Sequence, residues 1–335
     1  RVSGPPSSGR IPVEVTMNDR VTSQWVAHPC KRVCQGGAVV LFNTQTLPNL
    51  RNAGLPDRIA RCVLMPWDKL SRWLLGLPGN YAYTTSLDKS FVVSLLEHGL
   101  FVLPGGDELF SCPFPVTPFV FRLQEAPDGG TWRRCKMLRR HGHQFELTCN
   151  SSFEEHLKRC GEYHDARGGT WISERLINLM ADIDRDPANL VRVYAFELWD
   201  KVTGQLAAAS FGLAIGAFFH DFSMCCLVRD KRSAGAILTK AIGALLTDCG
   251  VLMWYWGCKV PYMAEYEKHG AVEVPREEYY DGLREALGQK LRLDPCEAIL
   301  SGKALIPCRP GVQPAAQGSP MSSDHGSPCY PCNLV

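Results

Sequence analysis

Five cations crowd the segment WRRCKMLRRHGH at residues 132–143: Arg133, Arg134, Lys136, Arg139 and Arg140, with His141 and His143 beside them. Charges at this density can track a phosphate backbone, meet an acidic protein face, or remain solvated. The chain holds 36 Lys+Arg against 34 Asp+Glu, a formal charge of +2, so nucleic acid cannot be held by bulk charge and any such contact must be local. Cys329 and Cys332 have the spacing of half a zinc site, and Cys30 with Cys34 offer a second pair. The Cys-x-x-x-Cys spacing of that second pair is unusual, so no metal is assigned. A redox role for Cys329 and Cys332 lacks the preceding strand that thioredoxin-like motifs need. His220 and Asp221 are neighbours on a strand-like segment and diverge instead of forming a dyad. Trp254, Tyr255 and Trp256 suit the two packed faces of a central strand better than a base-stacking platform. Gly212 and Gly216 lack the Gly-x-Gly-x-x-Gly order of a nucleotide loop, and no cofactor is expected.

The elements that must position these groups follow from composition and pattern. With 335 residues, 45% hydrophobic and 21% charged, the chain supplies a packed core for one large domain or two modest ones. Its longest nearly apolar run, Leu206–Phe219, is 14 residues and interrupted by Ser210, Gly212 and Gly216, too short to cross a bilayer; a soluble chain is expected. Fifteen cysteines, an odd number with scattered spacing, read as mostly reduced, buried thiols. The start at Arg1, without a signal-peptide core, fits a removed transit peptide or a trimmed chain. These points favour an organelle matrix, mitochondrial first, with plastid or cytoplasm as alternatives.

Periodicity predicts a helix over 87–100, irregular chain over 104–118, a strand at 145–148, and a helix from Ser151 or Ser152 to about Cys160. A second amphipathic helix spans 172–184. Residues 192–199 and 206–215 form a hairpin about Thr203-Gly204, followed by a strand at 218–227. A helix over 234–246 ends at Gly250, a strand covers 251–256, and helices cover 261–268 and 276–287. The chain then divides into an N-terminal extension (1–86), a small subdomain (87–144), a main α+β unit (145–290) and a C-terminal tail (291–335). The first 12 residues and those from Pro310 onward read as extended.

Several strings in this order carry a resemblance: Gly99-Leu100-Phe101, Gly169-Thr170-Trp171-Ile172-Ser173, Glu197-Leu198-Trp199, Gly216-Ala217-Phe218-Phe219 with Ser223-Met224, and Gly270-Ala271-Val272-Glu273-Val274-Pro275-Arg276. Over about Leu87–Leu287 the chain resembles the bacterial leucyl/phenylalanyl-tRNA–protein transferases. That resemblance implies a GNAT-like mixed β-sheet flanked by helices, and transfer of Leu or Phe from tRNA to a protein N-terminal amine. Such chemistry needs a proton acceptor near the attacking nitrogen and a polar site for the oxyanion. The family's site glutamate aligns with Phe222, and its Asp-Cys-Gln with Cys258, Lys259 and Val260. Asp221 can substitute only if a bulge shifts the strand register. The tryptophan that stacks on the terminal adenosine aligns with Leu103. Pocket aromatics fall on positions such as Ala241 and Leu245, whereas Met224 is retained. Cys258 has no histidine near it in sequence to activate a thiol. The acetyl-CoA loop of the wider fold would fall at 229–235, which has a single glycine.

The expected function is therefore a catalytically degenerate transferase-like protein acting as a structural subunit of an organellar complex. The alternative is an active leucyl/phenylalanyl-tRNA–protein transferase. The expected partners are other subunits, with tRNA or rRNA as candidates for the 133–143 segment.

Overall fold

A computed structural model describes residues 25–29, 39–43, 63–65, 75, 81–84, 87–103, 110–113, 115–125, 132–133 and 135–310. The main body is a seven-stranded mixed sheet in the order β12-β6-β11-β10-β9-β8-β7. Its strands are β6 (Pro118–Arg122), β7 (Phe145–Cys149), β8 (Arg192–Asp200), β9 (Leu206–Ile215), β10 (Phe218–Cys226), β11 (Met253–Cys258) and β12 (Ala271–Glu273). All neighbours pair antiparallel except β10 and β11. That one parallel pair requires a crossover, supplied by helix α5 (Ala234–Cys249). A second sheet of five strands runs β3-β1-β2-β4-β5, with β1 (Trp25–Pro29), β2 (Val39–Asn43), β3 (Val63–Met65), β4 (Tyr81–Thr84) and β5 (Phe110–Pro113).

Alternation sorts the long strands between two packed faces. On β8, Val193 and Ala195 face one side, and Tyr194, Phe196 and Leu198 the other. The first side is covered by α1 (Lys89–Leu96), α3 (Phe153–Asp165), α4 (Glu174–Asp184) and α6 (Arg276–Leu287). The second is covered by α5, with α2 (Lys136–His141) and α7 (Pro295–Leu300). Gly216 turns β9 into β10 at φ +58, where an added Cβ would strike the carbonyls of Ala286 and Gln289. The N-cap of α4 is Ser173, whose side chain accepts from Leu176 N at 3.3 Å.

The hairpin, the strands at 145 and 218 and the helix at 276 fall where the pattern places them. Two readings change. Within 104–118, Phe110–Pro113 forms β5 and Pro118 opens β6. Phe119 and Phe121 point to one core and Val120 to the other, so no polar residue marks the alternation, and a proline is tolerated at a strand's first position. β6 lies inside the seven-stranded sheet, so the 87–144 segment contributes a strand to the main body. The stretch from 291 is not all tail. It forms α7, buries Cys296, Ile299 and Ile306, and bridges Cys308 to Leu147. The helix expected after Val260 is present as a 3₁₀ helix, Pro261–His269. Cys149 and Cys296 form a disulfide, while eight other described cysteines are free thiols. Among the described residues, no helix is long and apolar enough to cross a membrane.

Candidate functional site

β10 and β11 are paired for only three residues each, Phe218–His220 against Met253–Tyr255. β10 then continues to Cys226 along β9, and β11 to Cys258 along β6. Past His220 and Tyr255 the two strands part. The opening between them has Asp221, Phe222, Ser223 and Met224 on one wall, and Trp256, Gly257 and Cys258 on the other.

The β10 wall contains a bulge. Asp221 lies opposite Gly212 and Ser223 opposite Phe211, so Phe222 is the extra residue. Phe222 and Ser223 consequently share the α3 side. Phe222 packs against the Phe101 group, and Ser223 meets Cys160 of α3. Asp221 and Met224 share the α5 side, where Asp221 accepts from Ser210 at 2.9 Å and Met224 Sδ accepts from Thr239 of α5 at 3.5 Å. The bulge brings Asp221 and Met224 to one face, but Asp221 remains on the face opposite Phe222.

Burial pushes the Asp221 carboxyl up to about 7, with the Ser210 hydrogen bond opposing the shift. The group is poised to exchange a proton near neutrality. Tyr262 of the 3₁₀ helix lies within electrostatic range of it. His220 points the other way. It packs against Phe101 at 5.1 Å and Tyr255 at 4.6 Å between ring centroids, and burial pushes its imidazole down to about 3. The two residues do not form a dyad.

Phe222 is half-buried and packs against the core. It stacks on Phe101 at 4.9 Å between centroids and 17° between planes, and meets the Trp171 edge at 6.2 Å. Three of the sequence strings, those carrying Phe101, Trp171 and Ser223-Met224, therefore converge at this corner. On the β11 side, burial pushes the Cys258 thiol up, away from a nucleophilic thiolate. Lys259 is held by Glu267 at 2.6 Å and Glu273 at 2.9 Å, and Val260 is 36% exposed. Leu103 is half-buried against the Phe101 core, and Ala241 and Leu245 are buried under β9. Trp254 and Tyr255 are buried on opposite faces, as the central-strand reading expects.

The basic segment divides. Arg133 is ion-paired with Asp248 of α5. Lys136, Arg139 and Arg140 are exposed on α2, with no acidic partner among the described residues. Arg134 lies outside the described residues, as do the Cys30/Cys34 and Cys329/Cys332 pairs and the N-terminal and post-310 segments. Among the described residues, no group of three or more metal-ligating side chains is assembled. The 229–235 loop is tied to the sheet: Arg232 bridges Asp230 at 2.7 Å and Asp200 of β8 at 2.6 Å. Sequence reasoning missed Ser210 as the partner of Asp221, and missed His164 and Cys160 beside Ser223. Only the last pair left a trace, a thiol and an imidazole four positions apart on a helix.

The sequence profile described as leucyl/phenylalanyl-tRNA protein transferase matches residues 131–284. The leucyl/phenylalanyl-tRNA–protein transferase of Chlorobaculum tepidum is 31% identical over 152 residues, covering 44% of this chain and 70% of that one. The protein of the same name in Paramagnetospirillum magneticum is 30% identical over 174 residues, 51% of this chain and 77% of that one. Among solved structures, a GCN5-related N-acetyltransferase from Sphaerobacter thermophilus covers 74% of this chain at 13% identity and a TM-score of 0.30. With two relatives at this identity covered over more than two thirds of their length, the chain belongs to the leucyl/phenylalanyl-tRNA–protein transferase family.

Proposed function

We propose that this chain is a catalytically degenerate member of its family and serves as a structural subunit of a larger assembly on the matrix side of an organelle, the mitochondrion first. The observation that carries the reading is the Phe222–Phe101 stack. At the position that aligns with the family's site glutamate, a half-buried phenyl ring is packed against the core. Across the opening, a thiol pushed up by burial and a valine stand where an acid and an amide are expected. Such a corner supplies hydrocarbon and sulfur where aminoacyl transfer needs proton exchange and oxyanion stabilisation. The exposed face of α2, with Lys136, Arg139 and Arg140, is suited to an acidic subunit or to RNA in that assembly. Native electrophoresis with identification of co-migrating chains tests the role. Stable partners are expected, and a free monomer in its native source overturns it.

One observation favours a second reading, an active aminoacyltransferase. The bulge sets Asp221 beside Met224 with a carboxyl that titrates near neutrality, as a general base requires. The discriminating assay supplies charged leucyl-tRNA and a peptide with an N-terminal Arg or Lys. Background transfer supports the subunit role. Transfer that disappears in Asp221→Ala establishes the enzyme.

A further inference from the structure

β7 is an edge strand of the seven-stranded sheet, and the chain beyond α6 closes that edge. Leu147 N donates to Pro307 O at 2.9 Å and Arg309 N donates to Leu147 O at 3.1 Å, so residues 307–309 run alongside β7 in parallel. The disulfide between Cys149 of β7 and Cys296 of α7 ties the same two stretches covalently, with 5.2 Å between their Cα atoms and 147 positions between them in sequence. Asp294 caps α7, accepting from Cys296 N at 2.8 Å, and also accepts from Tyr194 Oη of β8 at 2.6 Å.

Besides the disulfide, the segment is held by Ile299 and Ile306 in the core, by the Asp294 hydrogen bonds and by that one bridge to β7. α7 has six residues, and a helix this short keeps its turns only while its packing lasts. Cys149 and Cys296 are 4% and 7% exposed, so a reductant reaches them when α7 frays. Cys249 lies in the same core cluster, but burial pushes its thiol up to about 12, so it stays protonated and does not exchange with the bond. Eight other described cysteines are free thiols, which leaves this bond as the group whose state an external thiol–disulfide couple sets.

We propose that Cys149–Cys296 is a reversible redox latch that holds the C-terminal segment over the β7 edge, and that a dithiol reductant opens it. One thiolate of the dithiol attacks a sulfur of the pair, the S–S bond breaks, and the other cysteine leaves as a thiolate. The second thiol of the reductant displaces the first cysteine from the mixed disulfide and closes a disulfide of its own. The two protein sulfurs gain two electrons and two protons, and the dithiol loses both. Opening lets 295–309 lift, so that the Leu147 amide and carbonyl are free to pair with another strand. The latch lies at the far edge of the sheet and is independent of the chemistry at the β10–β11 opening.

The unsubstituted full-length chain is compared before and after dithiothreitol, with alkylation and peptide mapping to score the bond and amide hydrogen exchange to score the edge. Cys149 and Cys296 are expected to become alkylated, and the Leu147 and Arg309 amides to exchange about ten-fold faster, while the β8 and β9 amides keep their rates. The melting temperature is expected to fall by several degrees. Oxidised glutathione should restore the bond and the slow exchange. A bond that resists dithiothreitol in the folded chain, unchanged Leu147 and Arg309 rates, lost protection throughout β8 and β9, or failure to reclose each overturns the latch. Cys296→Ser cannot form the bond and is expected to exchange at the reduced chain's rate with or without dithiothreitol. A response to dithiothreitol in that variant assigns the effect to other groups and equally overturns it.

Discussion

Asp221 holds a proton up to about 7 in the folded chain and releases it near the ordinary value of 3.8 when unfolded. Between those values the native state binds more protons than the denatured state, so this residue lowers stability as pH rises through the window and keeps it lowered above. Asp221→Asn removes the titration. The variant should match the parent at acidic pH and be more stable at mildly alkaline pH, by about 1–2 kcal/mol after allowing for the group's partial exposure. Thermal unfolding at both pH values checks this; an equal difference at the two would mean that the carboxyl is unperturbed. The acid was visible as a candidate in the sequence, but its partner Ser210 was not. They meet only because β9 and β10 pair in this register.

Glu197 shows how one string in an element earns its place. The residue is fully buried on β8, accepting from Thr148 Oγ1 of β7 at 2.5 Å and from Ser151 N at 3.1 Å, and facing His156 Nδ1 of α3 at 3.2 Å. It therefore joins three elements. Glu197→Ala leaves a buried imidazole and hydroxyl without their acceptor, at an expected cost of about 3–5 kcal/mol. Glu197→Gln, which keeps an acceptor, should cost distinctly less; urea unfolding of both separates the effects. The sequence marked Glu197-Leu198-Trp199 as a matching string without showing whether its role was chemical or structural. In the fold, the role is structural. β6 escaped detection because both of its faces are buried, which erases the two-residue alternation by which a half-exposed strand is recognised.

For the molecule as a whole, the chain beyond α6 completes the core. Ile306 is 0% exposed and packs in the cluster around α5. Ile306→Ala is expected to cost about 2–4 kcal/mol in chemical unfolding, whereas a residue in a loose tail would cost almost nothing. Proline and glycine nearby made this stretch read as tail, because composition reports local stiffness and not what the segment covers.

Local patterning was enough for the hairpin, the order of strands and helices after 145, and the family to which they belong. Apolar spacing and turn residues act over a few positions and survive in a single chain. The convergence of Phe101, Trp171 and Phe222, the bulge that puts Asp221 and Met224 on one face, and the meeting of Asp221 with Ser210 depend on how distant segments pair. In a strand, one inserted residue reverses every later side chain, and which residue is the insertion is set by the neighbouring strand, far away in sequence.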